Sequence, residues 1–101
     1  MKTLGDHNYY VYILTNKGKT VLYTGVTNNL HERLFAHRNP LPFSKSFTAR
    51  YKCFYLLHFE HFGHIETAIA REKQIKGMSR SKKEALINVS NPEWKFLNKQ
   101  I

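Results

Sequence analysis

The first part of the chain restricts the fold most, because it reads as two strands joined by a turn. Residues 9–14 and 21–26 are rich in aromatic and β-branched side chains, which favour strands. Between them, residues 16–19 read Asn-Lys-Gly-Lys, and Gly18 can adopt the positive φ that a tight turn needs. This segment predicts a β-hairpin, so an antiparallel sheet is expected.

The length of the hairpin loop decides which side chains of the two strands face each other. A loop of two or four residues centred on residues 17–18 would set Tyr12 directly opposite Tyr23, on one face of the sheet. A three-residue loop would break this pairing, because a slip of one residue turns every side chain to the other face. The even loops predict two phenols that point to one place. An ordinary aromatic pair with its hydroxyl groups in water is the alternative.

The rest of the chain reads as a helix, a strand and two further helices. Periodicity, capping residues and glycine or proline stops predict their bounds. In chain order they are a helix at 29–37 capped by Asn28, a strand at 52–60, a helix from residue 63 or 64 to residue 76 ended by Gly77, and a helix that is capped by Ser79 or Ser81 and ends at Asn91. Residues 38–48 are predicted as a loop.

The element order is therefore β-β-α-β-α-α, which indicates an α+β fold with a small antiparallel sheet. A length of 101 residues fits one domain over residues 1–101, with a core at about 9–94. The side chains predicted to face inward from the last two helices are Ile65, Ile69, Ile75 or Lys76, Ala85, Leu86 and Val89.

Three ionisable side chains stand on helix faces that are otherwise apolar. Arg33 and His37 lie on or beside the stripe of the first helix, and Glu72 interrupts the stripe of the second. Burial of such groups without partners is costly, so a chemical role is expected for them. An ion pair between Arg33 and Glu72, or a solvent-facing His37, is the alternative.

The charge of the chain favours a polyanionic partner. Sixteen Lys and Arg against seven Asp and Glu give a formal net charge of +9. Such a charge steers polyanions toward a small protein, and nucleic acid is the usual one. The residues predicted to contact nucleic acid are Lys45, Arg50, Arg71, Lys76, Arg80, Lys82 and Lys83. The alternatives are a basic protein kept soluble by its charge and a solvated lysine-rich surface.

Cysteine use and hydropathy predict a soluble, cytoplasmic protein that makes no membrane contact. Cys53 is the only cysteine, so no intrachain disulfide can form. No apolar stretch approaches the roughly 18 residues that span a bilayer, and the amino terminus lacks the apolar core of a signal peptide. The histidines at positions 58, 61 and 64 are not expected to bind zinc, because no cysteine or carboxylate completes a tetrahedral set.

Four short segments carry most of the residues singled out above. They are Tyr10-Val11-Tyr12, Tyr23-Thr24-Gly25, Thr27-Asn28-Asn29-Leu30-His31-Glu32-Arg33-Leu34 followed by His37, and Ala68-Ile69-Ala70-Arg71-Glu72-Lys73-Gln74-Ile75-Lys76. In this order and spacing they resemble the GIY-YIG nuclease superfamily, and most of all its small stand-alone, single-domain branch. The resemblance runs from about Tyr9 to about Trp94.

The resemblance implies a three-stranded antiparallel sheet with flanking helices, and hydrolysis of a DNA phosphodiester with one divalent ion, Mg²⁺ or Mn²⁺. Carried across, Glu72 is the metal ligand and Arg33 holds the scissile phosphate. Tyr12 and Tyr23 orient or deprotonate the attacking water. His37 matches a position that is often histidine in homing-endonuclease relatives and could accept or relay the proton.

The chain departs from the family pattern at several positions. Tyr10 stands where glycine is usual, and Thr24 stands where isoleucine is usual. Val26 follows the motif glycine, where relatives carry a lysine or a small polar residue. For the family's late asparagine, Asn91 and Asn98 are only candidates.

The resemblance implies an endonuclease that cuts DNA by single-step water attack, with DNA repair as a setting. The alternatives are a nucleic-acid-binding module that kept the fold without turnover, and a scaffold that binds RNA or protein. Because 101 residues leave no room for a separate DNA-reading domain, branched or damaged DNA and a protein partner that supplies specificity stay open.

Overall fold

A computed structural model of the chain describes residues 8–42 and 44–101. Its elements, in chain order, are β1 (Tyr9–Thr15), β2 (Leu22–Thr27), α1 (Leu30–Arg38), α2 (Phe47–Tyr51), β3 (Tyr55–Phe62), α3 (Ile65–Lys76), α4 (Arg80–Ser90) and a short 3-10 helix (Asn98–Gln100). The predicted element order is confirmed, with α2 added between the end of the predicted loop and β3. The amino-terminal segment for which no signal peptide is predicted lies outside the described residues. Within the described ranges, no helix has the length and hydropathy needed to cross a membrane.

The three strands form one antiparallel sheet in the order β2-β1-β3, so the first strand lies in the centre. Five successive residues of β1, from Val11 to Thr15, are buried because this strand has a neighbour on each side and helices above and below. The predicted class, an α+β fold with a three-stranded antiparallel sheet flanked by helices, is confirmed.

Alternate side chains of β1 enter two separate hydrophobic clusters. Val11 and Ile13 pack with buried residues of α3 and α4. Tyr12 and Leu14 pack with buried residues of α1 and β3. The period of two along the strand thus places the Tyr12 phenol on the face that α1 covers.

The hairpin register differs from the prediction. Tyr12 is paired with Gly25, and Tyr23 is paired with Leu14. The two strands have therefore slipped by two residues from the predicted pairing. Because side chains alternate with a period of two, this even slip leaves Tyr12 and Tyr23 on the same face, as diagonal rather than direct neighbours.

The longer loop of the hairpin explains the slip. The side-chain carbonyl of Asn16 accepts hydrogen bonds from the backbone N–H groups of Thr20, at 2.8 Å, and Val21, at 3.2 Å. These bonds satisfy the loop backbone before strand pairing begins, so the last pair of the ladder is Thr15 with Leu22. The positive φ expected at Gly18 occurs at the residue after it, where φ is 60°.

Helix α3 presents a different face to the core than predicted. Ala68 and Ile75 are fully buried, whereas Ile65 and Ile69 are exposed. The inward stripe therefore passes through positions 68, 72 and 75, at i, i+4 and i+7. Glu72 lies on this stripe, so the prediction that an acidic residue interrupts the buried face of α3 holds although two of its apolar neighbours were wrong.

Helix α4 is anchored by Ile87 and, in part, by Leu86. The predicted inward position of Val89 is wrong, since its side chain is 86% exposed. The segment after α4 folds back on the core as predicted. Trp94 packs against the cluster of α3 and α4, and Leu97 packs against the cluster of α1.

Thr24 supplies a first testable prediction. Its side chain is buried, and within the described residues its hydroxyl oxygen has no hydrogen-bond partner. Replacement by valine removes the buried polar group at nearly constant shape, so the Thr24→Val variant should gain about 1 kcal/mol in the free energy of unfolding, measured by urea denaturation.

Thr27 offers the matched control for this change. It is also buried, but its hydroxyl oxygen accepts from the backbone N–H of Asn29 at 3.1 Å and donates to the carbonyl of the same residue at 3.3 Å. Thr27→Val should therefore lose stability. Equal losses in the Thr24 and Thr27 variants would contradict the assignment of Thr24 as an unpartnered hydroxyl group.

Candidate active site

The phenol of Tyr12 lies across Gly25 on the neighbouring strand. A Cβ atom at position 25 would come within 2.5 Å of the ring carbon Cζ and within 3.1 Å of Cε1, and would come closer still to the hydroxyl oxygen. Such contacts do not occur in folded proteins, so the ring can take this position only because residue 25 has no side chain. The glycine of the Tyr-Thr-Gly segment therefore makes room for the tyrosine of the other strand.

The Tyr12 phenol is fully buried and hydrogen-bonded to His37. Its oxygen lies 3.0 Å from Nε2 of the imidazole. Burial, together with the nearby Tyr23, raises the pKa of Tyr12 to about 12, although the positive charge of Arg33 acts in the opposite direction. The phenol therefore keeps its proton at neutral pH and donates it to Nε2.

His37 continues this chain of hydrogen bonds into α2. Its Nδ1 lies 2.9 Å from the hydroxyl oxygen of Thr48. Since Nε2 accepts from Tyr12, Nδ1 carries the proton and donates to Thr48. Burial lowers the pKa of His37 below its usual value of 6.5, and the positive charge of Arg33 lowers it further. The imidazole is therefore neutral at pH 7, with Nε2 as its acceptor nitrogen.

Helix α1 carries both Arg33 and His37 on one face. The helix begins at Leu30, because the side-chain carbonyl of Asn29 accepts from the backbone N–H of Glu32. The predicted cap, one residue earlier, is therefore wrong by one position. The spacing of four residues brings the guanidinium of Arg33 and the imidazole of His37 one helical turn apart, as predicted.

Tyr23 joins the site from β2. Its ring centroid lies 6.4 Å from that of Tyr12 and 5.7 Å from the imidazole of His37, which it meets edge to face. The Tyr23 ring also stacks against the ring of Phe47 in α2, with centroids 5.7 Å apart. The predicted convergence of two phenols and an imidazole is thus present.

Glu72 faces the same region from α3. Only 12% of its side chain is exposed, and its charge raises the pKa of Tyr12. Its carboxylate oxygen Oε2 pairs at 2.8 Å with the ammonium group of Lys76, and this hydrogen bond raises the pKa of Lys76. In the described part of the chain Glu72 forms its ion pair with Lys76 and not with Arg33. The alternative of a structural Arg33–Glu72 ion pair is therefore wrong.

Two contributors to the site come from α2, which the sequence did not predict. Ser46 caps this helix by accepting from the backbone N–H of Ala49 at 3.2 Å. The helix then supplies Thr48 to His37 and Phe47 to Tyr23. A five-residue helix is too short to show a periodic pattern, and the serine cap was the only local signal for it.

The two late asparagines support β3 and its neighbours instead of the site. The side chain of Asn91 donates to the backbone carbonyl of Leu57 at 3.0 Å. The side chain of Asn98 accepts from the N–H of Leu56 and donates to the carbonyl of Phe54, both at 2.9 Å. Each amide thus helps to hold the carboxy-terminal segment against the sheet.

The basic residues predicted to contact nucleic acid fall into two groups. Arg71 and Arg80 hold parts of the fold together: Arg71 binds the carboxylate of Glu60 through two nitrogens, at 2.8 and 3.0 Å, and Arg80 donates to the backbone carbonyls of residues 19 and 20. Lys76 is partly exposed beside Glu72. The other members are exposed or half-buried and are not ion-paired within the described residues: Lys45, Arg50, Lys82 and Lys83. Contact with nucleic acid stays a prediction for all seven.

His58 forms part of the same structural network as Arg71. Its Nε2 pairs with Glu60 at 2.8 Å, and its Nδ1 lies 2.8 Å from the hydroxyl oxygen of Ser90. The hydrogen bond from Arg71 is the main reason why the pKa of Glu60 is lowered. Within the described ranges, no group of three or more His, Cys, Asp or Glu side chains is arranged to hold a metal ion.

Comparison with known proteins shows the family of this chain. The family model of the GIY-YIG catalytic domain matches residues 8–85. The UPF0213 protein of Syntrophus aciditrophicus is 42% identical over 84 residues, which cover 83% of this chain and 93% of that protein. The UPF0213 protein of Clostridium perfringens is 37% identical over 92 residues, covering 91% of this chain and 96% of that protein.

A solved structure extends the comparison to three dimensions. The solution NMR structure of the UPF0213 protein of Bacillus halodurans matches with a TM-score of 0.56 at 28% identity, covering 91% of this chain and 93% of that chain. The resemblance predicted from the four sequence segments is confirmed. The chain therefore belongs to the GIY-YIG family, among its small UPF0213 members.

Proposed function

We propose that the protein is a metal-dependent endonuclease that hydrolyses DNA phosphodiester bonds by direct attack of water. The observation that carries this proposal is the buried phenol of Tyr12 held between the guanidinium of Arg33 and the imidazole of His37. A fully buried phenol is costly to desolvate, and here it meets a half-buried imidazole and an exposed guanidinium, which is an arrangement typical of a site with a chemical task. Phosphodiester hydrolysis gives each of them one.

Arg33 is proposed to bind the scissile phosphate. Its guanidinium is permanently charged and has a planar set of donors that matches two phosphate oxygens. It already acts on the hydroxyl group of Tyr12, so a phosphate held there would lie beside that phenol. Preorganised charge of this kind contributes about 3–4 kcal/mol of transition-state stabilisation for one donor.

Tyr12 and His37 are proposed to take the proton of the attacking water. A phenol with a pKa of about 12 cannot serve as the resting base at neutral pH. It can, however, pass its proton to Nε2 of His37 while it accepts one from water, since the two atoms are 3.0 Å apart. The water oxygen then forms the new bond to phosphorus, the bond to the leaving oxygen breaks, and the abstracted proton ends on the imidazole. Tyr23 is proposed to orient the water beside Tyr12.

Glu72 is proposed to hold one Mg²⁺ or Mn²⁺ ion. Its carboxylate is only 12% exposed, and its present partner is the ammonium group of Lys76, so this position already accepts a cation. Mg²⁺ needs few protein ligands because it keeps several of its waters, so one carboxylate fits its requirements. When bound, such an ion neutralises phosphate charge and polarises water.

A nucleic-acid-binding module without turnover is the second candidate. It is favoured by Asn91 and Asn98, whose amides hold backbone groups of β3 and its preceding turn and leave the site without the family's late asparagine. Both candidates place DNA on the same surface, and DNA repair is proposed as the setting for either. They differ only in whether a strand is cut.

The pH dependence of cleavage tests the proposed base. The pKa of His37 lies below 6.5 in the folded protein, so the imidazole is neutral at pH 7 and becomes charged only on further acidification. Cleavage should therefore stay level down to about pH 6.5 and fall below the lowered pKa of His37. The unfolded chain takes up this proton more readily than the folded protein does, so the free energy of unfolding also falls as the pH drops below 6.5. Circular dichroism must therefore confirm that the protein is folded at each pH.

The His37→Gln variant separates the two effects. Glutamine can still accept from Tyr12 but does not titrate, so the variant should cleave more slowly and without the acid limb. A wild-type profile without any acid limb, down to the lowest pH at which the protein stays folded and cleaves DNA, would contradict His37 as the proton acceptor.

A further inference from the structure

A groove of about 730 Å³ opens beside the candidate active site. Its inner end is lined by Tyr23, Arg33 and His37, which belong to the site itself. Its outer walls are apolar and include the exposed side chains of Phe35 and Leu41. A phosphate held at Arg33 would therefore have its attached nucleoside at the mouth of this groove.

Three aromatic rings form a row that begins in the groove, which Tyr23 and Phe47 line. Tyr23 stacks on Phe47 with centroids 5.7 Å apart and planes 27° apart. Phe47 in turn contacts Tyr51 at a centroid distance of 4.7 Å. Phe47 is 43% exposed, so part of its ring is accessible to a ligand although it has two aromatic partners. The stack thus leads from the catalytic tyrosine to the surface.

Positive charge accompanies this stack. Arg33 lines the groove, and the guanidinium of Arg50 lies 6.0 Å from the ring centre of Tyr51. Lys45 is exposed on the loop between α1 and α2 and lines a small cavity with Arg50. Aromatic faces next to cations are what an unpaired nucleotide requires, since its base stacks and its phosphate pairs. In an intact duplex every base is already stacked and paired, so a duplex offers this surface only its backbone.

We propose that the groove between α1 and α2 binds an unpaired base of the DNA strand that is to be cut, with Phe47 as the stacking residue. This inference rests on the proposed function and names its substrate class, DNA with an unpaired nucleotide beside the scissile phosphate. Single-stranded DNA and single-strand junctions fulfil this condition, and a continuous duplex does not.

The test measures binding without cleavage, by fluorescence anisotropy in EDTA. A labelled single strand and the matching duplex are titrated with the wild-type protein and with Phe47→Leu. Leucine keeps the apolar packing against Tyr23 but removes the aromatic face. The ratio of single-strand to duplex affinity should fall about tenfold in this variant.

Phe96 provides the matched control. It stacks on Tyr55 at 4.3 Å, lies under the ammonium group of Lys19 and is 37% exposed, but it does not line the groove. The Phe96→Leu variant should keep the wild-type affinity ratio. Equal ratios in the wild type and in Phe47→Leu, or an equal fall in both variants, would overturn the proposal.

A second variant at position 47 distinguishes a loss of base stacking from a loss of folding. Phe47→Trp enlarges the stacking face, so this variant should retain the affinity ratio. The wild type has one indole, Trp94. Binding of the single strand should quench the indole emission of the variant more than that of the wild type. Absence of the extra quenching would contradict base stacking at this position. Because these measurements exclude metal, selective binding without any cleavage in Mg²⁺ would refute the nuclease proposal and leave the groove assignment standing.

Discussion

Replacement of Glu72 by glutamine should reduce DNA cleavage by about a thousandfold or more while DNA affinity is kept. The change removes one negative charge and little volume, so the partly buried position on α3 can still be filled. A neutral amide cannot hold a divalent ion as a carboxylate does, and the loss of metal-ion catalysis costs several kcal/mol in the transition state. Affinity should not fall, because removal of a negative charge favours a polyanion.

The matched control for this variant is Glu84→Gln. Glu84 also pairs with a basic residue one helical turn away, Arg80, at 2.8 Å, but it lies on α4. Cleavage by Glu84→Gln should stay at the wild-type rate. If Glu72→Gln cleaves DNA as fast as Glu84→Gln, Glu72 is not the metal ligand.

The Gly25→Ala variant should lose at least about a hundredfold in cleavage and about 1–3 kcal/mol in the free energy of unfolding. The added methyl group would occupy the position of the Tyr12 ring, with the Cζ atom only 2.5 Å away. Because that ring is fully buried, it cannot move without disturbing its neighbours. Any displacement also breaks the hydrogen bond from the phenol to His37.

Gly18→Ala is the control for the loss of a glycine as such. A Cβ at position 18 would meet only the methyl group of Thr20, at 3.9 Å, which is an ordinary contact. This variant should fold and cleave as the wild type does. Urea denaturation and a cleavage assay on both variants give the comparison, and a fully active Gly25→Ala would show that the close approach of Tyr12 is dispensable.

The part of the site that follows from periodicity could be predicted from the sequence. Tyr12 and Tyr23 share a face for every even loop length, so an error of two residues in register left the prediction correct. Arg33 and His37 share a face because four residues make about one helical turn. Glu72 was found because an acidic residue on an inward stripe is rare.

The parts that depend on packing between distant segments could not be predicted. Thr48 orients His37 across 11 residues of sequence, from a helix too short to be recognised. Phe47 reaches Tyr23 in the same way. The close approach of Tyr12 to Gly25 could not be read either, since it requires the true register of the hairpin.

Charge, finally, does not reveal from sequence alone which cations are free to bind a ligand. Arg71 and Arg80 were predicted on outward helix faces, yet the first binds Glu60 and the second binds backbone carbonyls of the hairpin loop. Arginine offers several donors in one plane and is therefore often used to fix tertiary structure. Lys45 and Arg50 carry no such bond within the described residues, and they line a neighbouring cavity together with Ser44, which also lines the groove.

The most direct test of a nuclease function is a cleavage assay with purified wild-type protein on labelled single-stranded, branched and duplex DNA. Each DNA is incubated with Mg²⁺, with Mn²⁺ and with EDTA, beside the Tyr12→Phe variant. We predict metal-dependent strand cleavage that EDTA abolishes, that Tyr12→Phe slows strongly and that is fastest on DNA with unpaired nucleotides. Bound but uncut DNA under every metal condition, at protein in molar excess, would contradict it and identify a binding module.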